Sequence, residues 1–256
     1  MPMQLDTGAI KAESRSLLRT GSVNPFRMTL FYLLITLVLD MINSGVSYMI
    51  DSAGGFTVLS FSFVSILVGL VALVLNAGYY CYCFGILRRE QMPYESLFDA
   101  FPFAGKVILL SIVEGIFIFL WSMLFVIPGI IAAYRYSFAM LNLCENPELG
   151  VMEALNLSKQ QTFGYKWQLF VLQLSFIGWS LLVLGIFLIY ELLIAALLPD
   201  SFLGIMFGSL LLSVLAAGVG VYLTPYLNLS ICRFYQLATA PQVNEPPHFD
   251  SWNDNF

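Results

Sequence analysis

Four ionisable residues stand inside long apolar runs of this 256-residue chain: Asp40, Glu114, Arg135 and Glu191. A charged side chain at bilayer depth costs roughly 2.5–3.5 kcal/mol on insertion scales, so such a residue has a partner or a task. Counted at ~1.5 Å of helix per residue, Asp40 lies about 18 Å, Arg135 roughly 15–20 Å and Glu114 about 11 Å from the inner edges of their runs. Glu191 stands at an outer boundary and needs no explanation. Pairing of Arg135 with Asp40 or Glu114 has two readings. One is a buried ion pair that holds helices in register. The other is a hydrophilic site for a proton, an ion or a headgroup between helices. Neutral polar residues at Asn43, Ser44, Ser47, Asn76, Gln173, Thr224 and Asn228 either extend such a site or act as interhelical hydrogen-bond glue at ~0.6 kcal/mol each.

Other chemistries lack their residues. Cys81, Cys83, Cys144 and Cys232 fall near the inner ends of the runs, a reducing side where disulfides are not expected. Cys81-x-Cys83 has no histidine nearby, so the cysteines read as small hydrophobes and neither a metal nor another cofactor is expected. The one histidine, His248, lies in a Pro/Asn/Asp-rich tail over 241–256 that is expected to be disordered. No Gly-rich phosphate loop, His-Glu-x-x-His or Gly-x-Ser-x-Gly is present. With loops of roughly 20 residues between runs and no acid–base constellation to name, an enzyme is not expected.

The elements that carry these residues follow from composition. The chain is 59% apolar and only 11% charged, with 11 Lys+Arg against 16 Asp+Glu. Its mean hydropathy is +0.83. A soluble domain has about 25% charged residues with which to hydrate its surface, so a soluble enzyme and a disordered chain are excluded. The net charge of −5 excludes a nucleic-acid binder, which needs basic surface. What remains is an all-α, polytopic transmembrane bundle forming a single membrane domain over 1–240.

A hydrocarbon core of ~30 Å takes about 20 apolar residues of helix. Six spans are expected, at about 28–50, 57–85, 107–126, 129–145, 167–190 and 203–233, with no cleavable signal peptide before them. Residues 107–145 are nearly continuous. Pro128 and Gly129 mark the division into a hairpin; one long kinked helix is the alternative. In the last span Pro225 predicts a kink, with Thr224 beside it to satisfy a freed carbonyl, while Gly204/Gly208 and Ala216/Gly220 permit close helix approach. Six spans place ten of the 11 basic residues on the inner side, Arg135 being the other. The outer connections hold only Asp51, Glu191 and Asp200. A multi-pass cell-membrane protein with both termini cytoplasmic is therefore expected.

The three inner segments share a design. Tyr94, Leu97, Phe98 and Phe101 fall on one helical face opposite Glu95, Ser96 and Asp99, with Pro93 opening and Pro102 closing the helix. A second helix, capped by Asn146, carries a stripe of Val151, Met152 and Leu155 and ends at Gly164. Residues 8–20 are similar, with Ile10, Leu17 and Leu18 on one side. Each segment ends near a glycine (Gly21, Gly105 or Gly164), is followed by Arg27, Lys106 or Lys166, and leads into a hairpin. The expectation is three hairpins, each preceded by an amphipathic helix lying in the interface plane.

The block Val126-Ile-Pro-Gly-Ile-Ile-Ala-Ala-Tyr-Arg-Tyr-Ser-Phe-Ala-Met140, then Glu145-Asn-Pro147 and Ala154 to Lys159, resembles a bacterial integral-membrane family, domain-of-unknown-function family 975. Leu174-Ser-Phe-Ile-Gly-Trp179 and Ala12-Glu-Ser-Arg15 extend the likeness over nearly the whole chain. The Ile-Pro-Gly…Tyr-Arg block is also similar to the membrane part of some glycerophosphodiester phosphodiesterases, but this chain has no soluble catalytic domain. The resemblance implies a multi-span bacterial membrane protein of unestablished activity and transfers no catalytic residue. The first functional expectation is a non-enzymatic protein that packs membrane lipid or a hydrophobic or amphipathic peptide, in a membrane-integrity or immunity role. A homo-oligomer is compatible with it, and nucleic acid is not a partner. The alternative is a small transporter or channel with a polar path through Asp40, Glu114 and Arg135.

Overall fold

The computed structural model describes residues 6–20, 25–52, 55–197 and 202–240. These form helices α1 (Thr7–Thr20), α2 (Pro25–Ser52), α3 (Gly55–Leu87), α4 (Ala104–Leu124), α5 (Val126–Tyr136), α6 (Ala139–Glu145), α7 (Val151–Gln161), α8 (Lys166–Leu197) and α9 (Phe202–Thr239). There is no strand among the described residues, so the chain is an all-α bundle. Five helical stretches among them are long and apolar enough to cross a membrane: Pro25–Asn43, Ser62–Leu87, Tyr94–Leu124, Val126–Glu145 and Lys166–Ile186. The expected sixth span falls within the 38-residue α9, of which the side chains of 202–217 lie outside the described residues. Gly204, Gly208 and Ala216 are among these, and Gly21, Asp200 and the tail from 241 also lie outside the described residues.

The hairpin expected within 107–145 is present, but it turns before the proline. Phe125 is extended (φ −161°, ψ 154°), and α4 and α5 pack along one another on either side of it. Pro128 instead sits in the first turn of α5, where its missing N–H would have had no helical partner. Gly129 serves packing: a Cβ there would overlap the Ser122 hydroxyl of α4. The return span is also broken in two. Its chain leaves helical pairing around Ser137, where the Ser137 hydroxyl donates to the Tyr134 carbonyl at 2.9 Å, and resumes as α6. By contrast, α9 runs on through Pro225; the Thr224 carbonyl beside it accepts from Asn228 Nδ2 at 3.0 Å.

The three segments between hairpins differ in shape, which corrects the expectation of one repeated interfacial helix. Residues 94–103 wind as 3-10 turns, Tyr94–Phe98 and Phe101–Phe103, because Pro102 lies within the second turn and has no N–H to donate. Leu97 and Ser96 are buried there, whereas Tyr94, Phe98 and Phe101 face outward. The anchor is Gly78 of α3: the Leu97 carbonyl lies where a Cβ would stand. Asn146 caps only a local turn, its Oδ1 accepting from Glu148 N at 3.2 Å. The helix after it begins beyond Gly150, whose N–H donates to Glu153 at 3.4 Å. Its buried face is Val151, Ala154, Leu155 and Ser158, and Met152 points away. Gly164, at φ 85°, turns the chain into α8 as only glycine does without strain. On α1, Ile10, Ser14 and Leu18 are buried, mainly against α9.

Arg88, Lys106, Glu145 and Arg233 gather at one end of the bundle, here called the basic end. Arg88 pairs with Glu145 at 3.3 Å, Arg233 with Glu13 at 2.8 Å, and Lys106 Nζ donates to the Pro147 carbonyl at 2.6 Å. The dense core lies towards this end, around Tyr79, Tyr82, Phe138, Leu141 and Phe234. Away from it the helices present large apolar side chains outward, among them Leu34, Met41, Phe119, Met123 and Ile189. A band of that kind is what lipid tails contact.

Candidate functional site

A cavity of about 500 Å³ opens between α3, α4, α5, α6, α8 and α9. Its polar wall is Asn76 and Tyr80 from α3, Glu114 from α4, Tyr134 and Ser137 from α5 and the break after it, and Gln173 from α8; Ile130, Met140, Leu141 and Ile231 supply apolar wall. Asn76 and Tyr80 are four residues apart and so share one helical face. Tyr134 donates to Gln173 Oε1 at 2.9 Å, joining α5 to α8 across the cavity. Asn76 Nδ2 donates to the Tyr32 hydroxyl at 3.3 Å, which ties the wall to α2. Glu114 is half-buried, and its carboxylate meets no cation among the described residues.

By helix rise, Glu114 stands about 15 Å from the start of α4 and Gln173 about 10 Å from the start of α8. The cavity therefore lies in the half of the bundle nearer the basic end. It offers one carboxylate, two phenols, two amides and a hydroxyl around a partly apolar floor. Such a set can hydrogen-bond a polar group and offset a positive charge.

The expected trio is not brought together. Of Asp40, Glu114 and Arg135, only Glu114 lines the cavity. Asp40 is exposed on α2. Arg135 is half-buried on α5, and none of the ion pairs among the described residues includes it. What α5 contributes at Arg135 is its backbone: the Arg135 carbonyl accepts from Ser158 Oγ at 2.9 Å and Thr162 Oγ1 at 3.2 Å, both from the α7 side. Ser158 Oγ in turn accepts from Phe138 N at 3.2 Å. The two hydroxyls thus satisfy backbone groups freed where the span breaks. The side chain of Glu191 is outside the described residues, as are those of Ser44 and Ser47.

Asn76 and Gln173 were legible as polar residues in apolar runs. Tyr80, Tyr134 and Ser137 were not, because tyrosine and serine are common in helices and only the α5–α8 contact gives Tyr134 a partner. Near the basic end a second polar cluster forms, with the Tyr235 hydroxyl meeting Asn142 Oδ1 at 2.8 Å and Glu145 Oε2 at 2.6 Å. The four cysteines associate in pairs, Cys144 with Cys81 and Cys232 with Cys83, across α3, α6 and α9. All four thiols are free. Among the described residues, no three His, Cys, Asp or Glu side chains gather as metal ligands do.

No curated protein and no solved structure matches the chain. One family does. Over residues 123–241, which run from the end of α4 to the end of α9 and include the cavity walls from α5, α6, α8 and α9, the chain is similar to the family described as protein of unknown function (DUF975).

Proposed function

We propose that this is a non-enzymatic, multi-pass protein of the cell membrane, its basic end and both termini cytoplasmic, that seats the polar head of a membrane lipid or an amphipathic peptide in the Glu114 cavity. The observation that carries this reading is a carboxylate with no cationic partner among the described residues, in a 500 Å³ cavity with hydrogen-bonding walls. Placed in the inner half of the bilayer, that cavity is open to a headgroup whose tails lie against the apolar flank of the bundle. Glu114 is the counter-ion, and Tyr134, Gln173 and Asn76 fix orientation. A membrane-integrity or immunity role follows if the seated molecule is withheld from, or delivered to, the surrounding bilayer.

The test uses purified full-length protein in detergent, titrated with short-chain phosphatidylethanolamine and with a cationic amphipathic peptide. Hydrogen bonds to a charged group are worth enough that Glu114→Gln weakens binding roughly 10-fold or more. Glu114→Asp keeps the charge and retains most of the affinity. Equal binding by wild type and Glu114→Gln removes the reading. A second reading, passage of an ion or small solute, draws on the same polar wall. Liposomes that show flux under an imposed gradient, abolished by Glu114→Gln, would favour it over retention.

A further inference from the structure

Helix α1 carries Lys11 and Arg15 four residues apart, on one helical face. Like charges at this spacing repel, and the expected relief is a carboxylate nearby. Among the described residues no ion pair supplies it: Glu13, the acid between them, is turned to Arg233 at 2.8 Å. The cations are instead laid on aromatic faces of the spanning helices. Lys11 Nζ lies 4.9 Å from the centre of the Phe176 ring on α8, and the Arg15 guanidinium 5.6 Å from that of Tyr226 on α9. The two rings pack edge to face at 4.9 Å, so the cations above them are held side by side. Burial, and then the charge of Arg15, pull the Lys11 ammonium below the ordinary lysine range.

A ring face meets a cation without using its N–H donors, so an ammonium with three and a guanidinium with five remain available. Arg15 is exposed and Lys11 half-buried, which leaves both reachable from outside the bundle. On the same helix, Trp179, one turn along α8 from Phe176, is exposed and apolar. Two cations held over ring faces, with no ion-pair partner among the described residues and apolar helix surface nearby, match an anion attached to hydrocarbon. We infer that Lys11 and Arg15, held over Phe176 and Tyr226, form a binding site for the phosphate of an anionic phospholipid. This site shares no residue with the wall of the Glu114 cavity and has the opposite charge, so different variants test the two proposals.

The experiment titrates full-length protein in neutral detergent with short-chain phosphatidylglycerol, short-chain phosphatidylcholine and inorganic phosphate, read by calorimetry. Phosphatidylglycerol is expected to bind more tightly than phosphatidylcholine, and affinity should fall as salt rises. Each cation near a lipid surface contributes enough that the Lys11→Gln/Arg15→Gln double variant should bind ~30-fold more weakly. The charge-keeping Lys11→Arg variant should bind as wild type does, and so should Arg89→Gln, which alters an exposed cation elsewhere. If the double variant does not fold, Lys11→Gln alone and the salt dependence of the wild type carry the test. Equal affinity for phosphatidylglycerol and phosphatidylcholine, or unchanged phosphatidylglycerol binding in the glutamine variants, overturns the site. Inorganic phosphate binding as tightly as the lipid overturns the lipid assignment in favour of a free anion.

Discussion

Gly78 shows how much of this bundle rests on single atoms. The Leu97 carbonyl occupies the place of its missing side chain, so the 3-10 turns at 94–103 lie directly on the backbone of α3. Gly78→Ala must push the two segments apart, and overpacking of this kind costs roughly 1–3 kcal/mol. The expected outcome is a lowered melting temperature in detergent. Gly115→Ala, on the open side of α4 where a Cβ meets nothing, should leave it unchanged. Both glycines stand in apolar helical runs, and nothing in the local pattern separates them. At the same scale the conspicuous charges were poor guides to their neighbours. Glu114 was found as a carboxylate in an apolar run and does line the cavity. Arg135 was found in the same way, yet its main contribution to packing is a carbonyl oxygen that every residue possesses.

Among the elements, α7 is the one whose role the periodicity understated. An amphipathic stripe between spans predicts a helix at rest on the interface. In the structure α7 closes a gap, its Ser158 hydroxyl bridging the Arg135 carbonyl and the Phe138 N–H where α5 gives way to α6. Asn142 Nδ2 adds a bond to the Ala154 carbonyl at 3.3 Å. Ser158 is fully buried, so Ser158→Ala leaves the Phe138 N–H without its partner, at about 1–3 kcal/mol, and the Arg135 carbonyl with Thr162 as its remaining donor. The variant should melt earlier, and hydrogen exchange should quicken at 137–140 before it does elsewhere. If only global stability falls while exchange around the break is unaltered, Ser158 is packing and not a backbone clamp. Legibility here was partial for a physical reason. A stripe of period 3.6 reports which face is buried, but not whether lipid, water or another helix buries it.

For the whole molecule, the charges partition by end. Arg88, Lys106 and Arg233 meet partners at the same end of the bundle, although they lie just after α3, at the start of α4 and on α9. The proposed topology, with that end inside, makes a direct prediction about accessibility. In a cysteine-free variant, Phe125→Cys, at the exposed α4–α5 turn, should react with a membrane-impermeant maleimide in intact cells. Phe163→Cys, exposed between α7 and α8, should react only after permeabilisation. Labelling of both positions from one side would remove the hairpin topology. The uneven packing is also a property of this scale. A tight core near the basic end, with apolar flanks beyond it, surrounds the cavity and the cation pair with packed helices.

The sequence by itself determined that the chain is an all-α bundle of long apolar helices with most of its few charges set apart from them. Hydrocarbon thickness and the cost of charge act on each residue separately, so composition along the chain is enough to read them. Only the tertiary structure decided which polar groups meet. Glu114 faces Tyr134 and Gln173 but not Arg135, Lys11 and Arg15 lie over Phe176 and Tyr226, and Gly129 serves close packing after a turn already made at Phe125. Such meetings depend on how each helix is rotated and how deep it sits against its neighbours. Those quantities are set by the summed contacts of many side chains, and no local spacing encodes them.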